Sequence, residues 1–350
     1  MKSLFMMGIL SMTLISEAQA QYFANPNPGG FSLAVHGGAG TITRQTITPE
    51  VAAKYQAALE RALQTGYQIL AQGGSSVAAV EAVVRVFEDD PLFNAGKGAV
   101  FTHDGKNELD ASIMDGKTGL AGAVAGVTTI KNPISAARAV MEKTRHVLLI
   151  GRGAEQFAAE QNLEIVDPSY FFTQWRWDQL QRAKEKKRLE LDHNGVPEKR
   201  SENLSVPYWQ TDYKHGTVGA VALDSHGNLA AATSTGGLTN KLYGRVGDSP
   251  IIGAGTYAEN GLLAVSGTGT GEFFIRSALA YDIAARIKYG KLDLNQAVDQ
   301  SIAEALQKKH GDGGVISIDA TGNIKFGFNT EGMYRGLIRA DGKALTMIYK

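Results

Sequence analysis

Residues 216–237 read GTVGAVALDSHGNLAAATSTGG, and the fold can be worked outward from them. Two runs rich in small and β-branched residues, 217–223 and 228–234, flank Asp224-Ser225-His226-Gly227-Asn228. An Asp followed by Gly-Asn between two such runs is hairpin chemistry, so the two strands pair antiparallel. The same turn recurs as Asp319-Ala320-Thr321-Gly322-Asn323 between 314–319 and 323–328. Further strands are expected at 123–130, 262–267 and 333–339, together with a buried strand from Phe31 to Val35 that leaves through His36-Gly37-Gly38-Ala39-Gly40.

Helical spacing appears between these strands. Thr48-Pro49 opens a helix in which Ala58, Leu59, Ala62, Leu63 and Leu70 share a face until Gly73-Gly74 stops it. Others are expected at 76–88, 133–142, 153–161, 272–289 and 294–309. Hairpins rather than crossovers imply antiparallel sheets covered by helices, so the expected class is α+β with stacked layers, α on β on β on α.

Composition narrows the chemistry. The chain has 350 residues, 35 basic against 35 acidic and no cysteine. Zero net charge provides no field to draw it to nucleic acid or to an anionic membrane. Without cysteine there are no disulfides, thiolate zinc sites or iron–sulfur clusters, and any covalent nucleophile is Ser, Thr, Lys or a carboxylate. The 41 glycines lack a three-residue period and come with only nine prolines, which excludes collagen and low complexity.

The start of the chain reads as a secretory signal peptide: Lys2, an apolar stretch from about Leu4 to Ile15, then Ala18-Gln19-Ala20 before Gln21. Polar residues at 11, 13, 16, 17 and 19 leave too short an apolar run for a membrane anchor. Export is therefore expected, to a bacterial periplasm or outside the cell. Farther on, eleven of the nineteen residues from 182 to 200 are charged and no apolar face continues into 201–216. A mobile linker is expected over about 176–216, a place where a chain can be cut.

That linker runs directly into Gly216-Thr217. A threonine freed as an N-terminus carries its own base, because an α-amine titrates at ~7.7–8. Arg245 and Asp248, three apart on a glycine-containing turn, form the charge pair that could hold a zwitterion. The glycine-rich turn Gly267-Thr268-Gly269-Thr270-Gly271 lacks dinucleotide spacing and instead offers N–H groups at a helix start, which suits an oxyanion. No His/Asp/Glu grouping with transition-metal spacing stands out; His36 reads as structural, and His215 falls on the linker side of the cut.

Taken with Pro91-Leu92-Phe93-Asn94-Ala95-Gly96, Glu108-Leu109-Asp110-Ala111, Thr233-Ser234-Thr235-Gly236-Gly237, Arg245-Val246-Gly247-Asp248-Ser249-Pro250 and Glu272, these segments resemble the plant-type L-asparaginase and isoaspartyl peptidase family of N-terminal-nucleophile (Ntn) hydrolases. The resemblance covers about 31–340 apart from the linker. It implies a four-layer αββα sandwich and self-cleavage between Gly216 and Thr217 into an α subunit, 21–216, and a β subunit, 217–350, folded as one domain. It further implies Thr217 as nucleophile, Thr235 as the second threonine beside it, and Thr268 and Gly269 as oxyanion donors. Arg245 and Asp248 become the substrate clamp, with Thr268, Gly269 and Gly271 also lining the site.

No cofactor is expected for catalysis. The resemblance places a structural sodium ion on backbone carbonyls of Phe87, Glu88, Asp90, Phe93, Ala95 and Lys97, and it implies an (αβ)2 heterotetramer acting on a small-molecule substrate, without nucleic acid or membrane. The expected substrates are β-aspartyl dipeptides and L-asparagine. The alternatives are a glycosylasparaginase and an exported amino-acid binding protein.

Overall fold

A computed structural model describes residues 21–25, 30–185 and 216–350. The expected signal peptide, most of the expected linker and His215 lie outside these residues. Thirteen strands form two sheets among the described residues. The larger sheet runs β13 (Leu345–Tyr349), β12 (Gly332–Arg339), β2 (Ser32–Gly40), β6 (Val218–Leu223), β7 (Leu229–Thr235), β3 (Leu109–Asp115), β4 (Ala121–Val127), β5 (Leu148–Ile150). Every pairing in it is antiparallel except β4–β5. The smaller sheet, wholly antiparallel, runs β1 (Gln21–Phe23), β11 (Ile324–Phe328), β10 (Gly313–Asp319), β9 (Leu263–Gly269), β8 (Thr256–Glu259).

Both expected hairpin turns form, each locked by its aspartate. Asp224 Oδ1 accepts from the N–H groups of His226 and Asn228, and Asp319 Oδ1 from those of Thr321 and Asn323. These short Asx bonds satisfy donors that the reversal would otherwise leave free.

Period-two alternation divides each strand between two cores. On β6 and β7, Val218, Ala220, Ala222, Ala230 and Ala232 face α1 (Pro49–Ala71), α2 (Ser76–Glu88) and α3 (Pro133–Lys143). Val221, Leu223, Leu229 and Ala231 face the other way, into a layer shared with Ile316, Phe326 and Phe328 of the smaller sheet. That sheet's outer face, with Leu263, Val265 and Val315, is covered by α6 (Gly271–Ser277), α7 (Leu279–Lys288) and α8 (Leu294–Ala305). The result is the expected αββα sandwich.

Helix starts follow local rules. Thr48 caps α1 with Pro49 in its first turn, Ser75 caps α2, and Asp293 with Gln296 makes a capping box on α8. Three features depart from the sequence reading. The segment 272–289 is two helices, α6 and α7, because Ala278 takes a left-handed conformation at φ 46°. The helix expected from 153 begins at Gly151 as α4 (Gly151–Glu160). Residues 176–185, expected as linker, belong to α5 (Gln174–Glu185), which buries Arg176, Gln179, Leu180 and Ala183. The run of charges hid them: the Arg176 Nε–H donates to the carbonyl of Gly98 at 2.8 Å, a tertiary partner that composition does not reveal.

Candidate active site

Register alone brings two threonines together. Val218 pairs with Ser234, so Thr217, one residue earlier, lies beside Thr235, and both point into the layer between the sheets. The Thr217 hydroxyl donates to Thr235 Oγ1 at 3.0 Å, and Thr235 Oγ1 also accepts the Gly237 N–H at 3.0 Å. Both threonines are buried.

The cleft in front of them is lined by Gly216, Thr217, Thr235, Gly237, Leu238, Arg245, Gly247, Asp248, Ser249 and Gly269. Its free space is only ≈10 Å³, the lower limit for one water molecule. A larger cavity of ≈260 Å³ lies at the start of α2. Its carboxylates are committed, Asp224 to the Ser76 N–H and its own turn and Glu142 to Arg138, so it offers no free reactive pair.

Asp248 and Thr268 each carry a buried side-chain oxygen, Oδ2 and Oγ1, without a hydrogen-bond partner. Such orphans are costly and call for a ligand. Burial pushes the Asp248 carboxyl up to about 7, with Arg245 acting in the opposite direction. Glycines make room for it. A Cβ on Gly255 would sit 2.9 Å from Asp248 Oδ2, and one on Gly271 would sit 2.9 Å from Asp248 Oδ1 and 2.8 Å from Arg245 Nη2.

Arg245 does not rest on Asp248. It makes a bidentate pair with Glu272, Nε–H to Oε1 at 2.9 Å and Nη2–H to Oε2 at 3.0 Å. The guanidinium is thus held flat by a carboxylate at the edge of the cleft, in the geometry it would use for a substrate carboxylate.

Sequence reasoning missed two charged groups close by. Asp110 pairs in register with Thr235; its Oδ1 accepts the Gly126 N–H at 2.8 Å, while its buried Oδ2 has no partner. Burial raises its carboxyl and also lowers the Lys241 ammonium, and each partly offsets the shift of the other. The Lys241 Nζ donates to the Glu108 carbonyl at 3.0 Å and lies 3.0 Å from where a Gly237 Cβ would be. Asp110 stood inside the Glu108-Leu109-Asp110-Ala111 segment and Lys241 in none; nothing in spacing predicted their approach. His36 is structural as expected and yet touches the site: its Nδ1–H donates to the Thr217 carbonyl at 3.0 Å, and burial pushes the imidazole down to about 3, keeping it neutral.

The loop expected to hold sodium is compact. Phe87, Glu88, Phe93 and Ala95 are buried, and the carbonyls of Phe87, Asp90 and Ala95 accept the N–H groups of Asp90, Phe93 and Gly98. The Phe93 carbonyl crowds Gly98, where a Cβ would lie 2.0 Å from it, and the Glu88 carbonyl crowds Gly96 in the same way at 2.2 Å. Lys97 turns its ammonium over the Tyr170 ring. A dense set of uncharged carbonyl oxygens, each with a second lone pair, is a donor set that suits a hard cation. Among the described residues no group of three or more His, Cys, Asp or Glu could hold a metal, and no helix is long and apolar enough to cross a membrane.

The chain is similar to known proteins over most of its length. The family model described as "Asparaginase" matches residues 30–348. The isoaspartyl peptidase of Escherichia coli K12 is 50% identical over 318 residues, covering 91% of this chain and 96% of its own. That of Salmonella typhimurium LT2 is 49% identical with coverages of 91% and 98%. The plant-type L-asparaginase of Pyrococcus furiosus is 44% identical over 303 residues, covering 86% and 94%. A match this long, on a sandwich that sets two threonines side by side before a buried unpaired carboxylate, makes the chain a member of the asparaginase family to which the isoaspartyl peptidases and plant-type L-asparaginases belong.

Proposed function

We propose that the chain is an amidohydrolase that cleaves β-aspartyl dipeptides and L-asparagine and becomes active by cutting itself between Gly216 and Thr217. The observation that carries this reading is the Thr217 hydroxyl, 3.0 Å from Thr235 Oγ1, in a cleft whose other wall holds the unpaired Asp248 Oδ2 and Arg245. The relatives named isoaspartyl peptidase and L-asparaginase support the substrate class.

In the precursor, Thr217 Oγ adds to the Gly216 carbonyl, the peptide C–N bond breaks to leave an ester, and water hydrolyses it. Cleavage frees the α-amine and takes Gly216 out of the cleft wall, making room for substrate. The amine then accepts the hydroxyl proton as Oγ attacks the side-chain amide carbon. Thr268 Oγ1–H and the Gly269 N–H stabilise the oxyanion; the C–N bond breaks, the leaving amine takes the proton, and water cleaves the acyl-enzyme. Asp248 receives the substrate ammonium, and Arg245 turns from Glu272 to the α-carboxylate. Thr235 orients the nucleophile.

The carbonyls of Phe87, Glu88, Asp90, Phe93, Ala95 and Lys97 would hold a sodium ion that stiffens the loop and takes no part in the reaction. The working particle is an (αβ)2 assembly, exported after loss of residues 1–20.

Intact mass of purified protein, followed by kcat/KM for β-Asp-Leu, L-asparagine, L-glutamine and aspartylglucosamine, tests the reading. Two fragments are expected, the smaller beginning at Thr217, with β-Asp-Leu preferred; Thr217→Ala stays whole. An uncut chain that nevertheless hydrolyses β-Asp-Leu would refute the mechanism. A preference for aspartylglucosamine would point to a glycosylasparaginase, and inactivity on all four substrates would leave an amino-acid binding protein.

A further inference from the structure

The layer between the sheets changes character along its length. Away from the cleft it is apolar, with Ala34, Val221, Ala231, Ala264, Ala258 and Met114 buried in it. Two residues nearer the cleft, the same faces of the same strands carry His36, Gly219, Thr233, Ser266, Thr256 and Ser112. All five side chains are fully buried.

They lie end to end. Ser112 Oγ and Thr256 Oγ1 lie 2.8 Å apart, and Thr256 Oγ1–H donates to Thr233 Oγ1 at 2.6 Å. Thr233 and Ser266 hydroxyls lie 2.7 Å apart, and Ser266 Oγ is 2.9 Å from His36 Nε2. The Thr217 carbonyl can only accept, so His36 carries its proton on Nδ1 and Nε2 must accept from Ser266. That choice orients the hydroxyls of Ser266, Thr233 and Thr256 toward Thr217. At the other end Ser112 Oγ–H donates to the carbonyl of Ser249, the neighbour of Asp248, at 2.6 Å, so its one proton is spent there and the Ser112–Thr256 contact is a packed oxygen pair without a hydrogen. Gly219 lies against the middle of the row: a Cβ there would be 2.0 Å from Ser266 Oγ and 2.4 Å from His36 Nε2.

We propose that the hydroxyl row Ser112–Thr256–Thr233–Ser266, ending on His36, is a positioning device that fixes the span between the Asp248 clamp loop and the Thr217 nucleophile. Its members touch no substrate. Thr256, Thr233 and Ser266 reach the Thr217 carbonyl through hydrogen bonds and His36, and Ser112, packed against Thr256, bonds the Ser249 carbonyl, so the span is set by a polar row in a close-packed interior. A fixed span rejects a substrate whose scissile carbonyl is one methylene farther from its ammonium, which makes these residues determinants of the choice between asparagine and glutamine. This rests on the amidohydrolase reading above.

Thr233→Val keeps the shape of the side chain and deletes the hydroxyl; Thr233→Ser keeps the hydroxyl and deletes the methyl. On processed enzyme, Thr233→Val should lose ~10- to 100-fold in kcat on β-Asp-Leu, as expected for misplacement of up to ~1 Å, with KM within about threefold. Its preference for L-asparagine over L-glutamine should shrink, and Thr233→Ser should restore both. Should Thr233→Val fold poorly, Ser266→Ala reads the same row from its other member. Wild-type kcat and wild-type asparagine preference in Thr233→Val or Ser266→Ala, or a Thr233→Ser as impaired as Thr233→Val, overturns the inference. If wild type itself hydrolyses none of these amides, the functional reading fails instead.

Discussion

Replacing Asp248 by asparagine should make the free protein more stable and the enzyme worse. The carboxyl is 3% exposed, its Oδ2 has no partner, and the one cation acting on it, Arg245, is bonded to Glu272. Burial holds it at about 7 against a usual 3.8. Because the folded-state value is the higher one, the folded chain binds the extra proton, and stability falls as pH rises from about 4 to about 7. At pH 8 the ionised carboxylate then costs at most ~4 kcal/mol of folding free energy. Asparagine has the same shape and no charge, so Asp248→Asn removes that cost. In the occupied site the sign reverses: losing a buried charged partner of an ammonium costs ~2–5 kcal/mol, a rise in KM of ~30-fold or more. Thermal unfolding of the processed enzyme at pH 5 and pH 8, with KM for β-Asp-Leu at pH 8, separates the two effects. Tm should rise by a few degrees at pH 8 and by less than half as much at pH 5, and KM should climb. A lower Tm at pH 8 together with an unchanged KM would refute the assignment of Asp248 as an unpaired ammonium receptor.

Arg245 is half of a partly exposed pair with Glu272, whose own side chain is 47% accessible, so the pair is worth ~0–1 kcal/mol. Glu272→Gln should therefore lower KM by up to about fivefold by releasing the guanidinium, whereas Arg245→Ala should raise it, both read from initial rates with β-Asp-Leu. Gly219→Ala forces a methyl between Ser266 and His36, and overpacking there should lower stability by ~1–3 kcal/mol and depress kcat more than KM, measured by denaturant titration and steady-state kinetics.

Much of the molecule could be read from its residues. Asp224-Ser225-His226-Gly227-Asn228 and Asp319-Ala320-Thr321-Gly322-Asn323 announce their hairpins because the turn is closed by side chains within five residues. Thr48-Pro49 and Ser75 announce α1 and α2 for the same reason. Local bonds are written in local sequence. β3, β8 and β13 gave no comparable sign: Thr256–Glu259 and Leu345–Tyr349 are short edge strands paired on one side only, to β9 and β12. Ala278 breaks the helix between Gly271 and Lys288 although alanine favours helix, so packing overrides propensity there.

The site divides along the same line. Thr217, Thr235, Arg245, Asp248, Thr268 and Gly269 stood out by motif, and the hairpin register that sets Thr217 beside Thr235 follows from the turn between their strands. Sequence by itself thus determined the hairpins, the layered class and the candidate reactive residues. Only tertiary structure decided that Arg245 rests on Glu272, that Asp110 lies beside Thr235 while Lys241 bonds the Glu108 carbonyl, and that Ser112, Thr256, Thr233, Ser266 and His36 form one row. The physical reason is separation: these partners come from five strands in two sheets, and a serine or threonine on a strand looks the same in sequence whether it faces water or a hydroxyl 2.7 Å away across a buried seam.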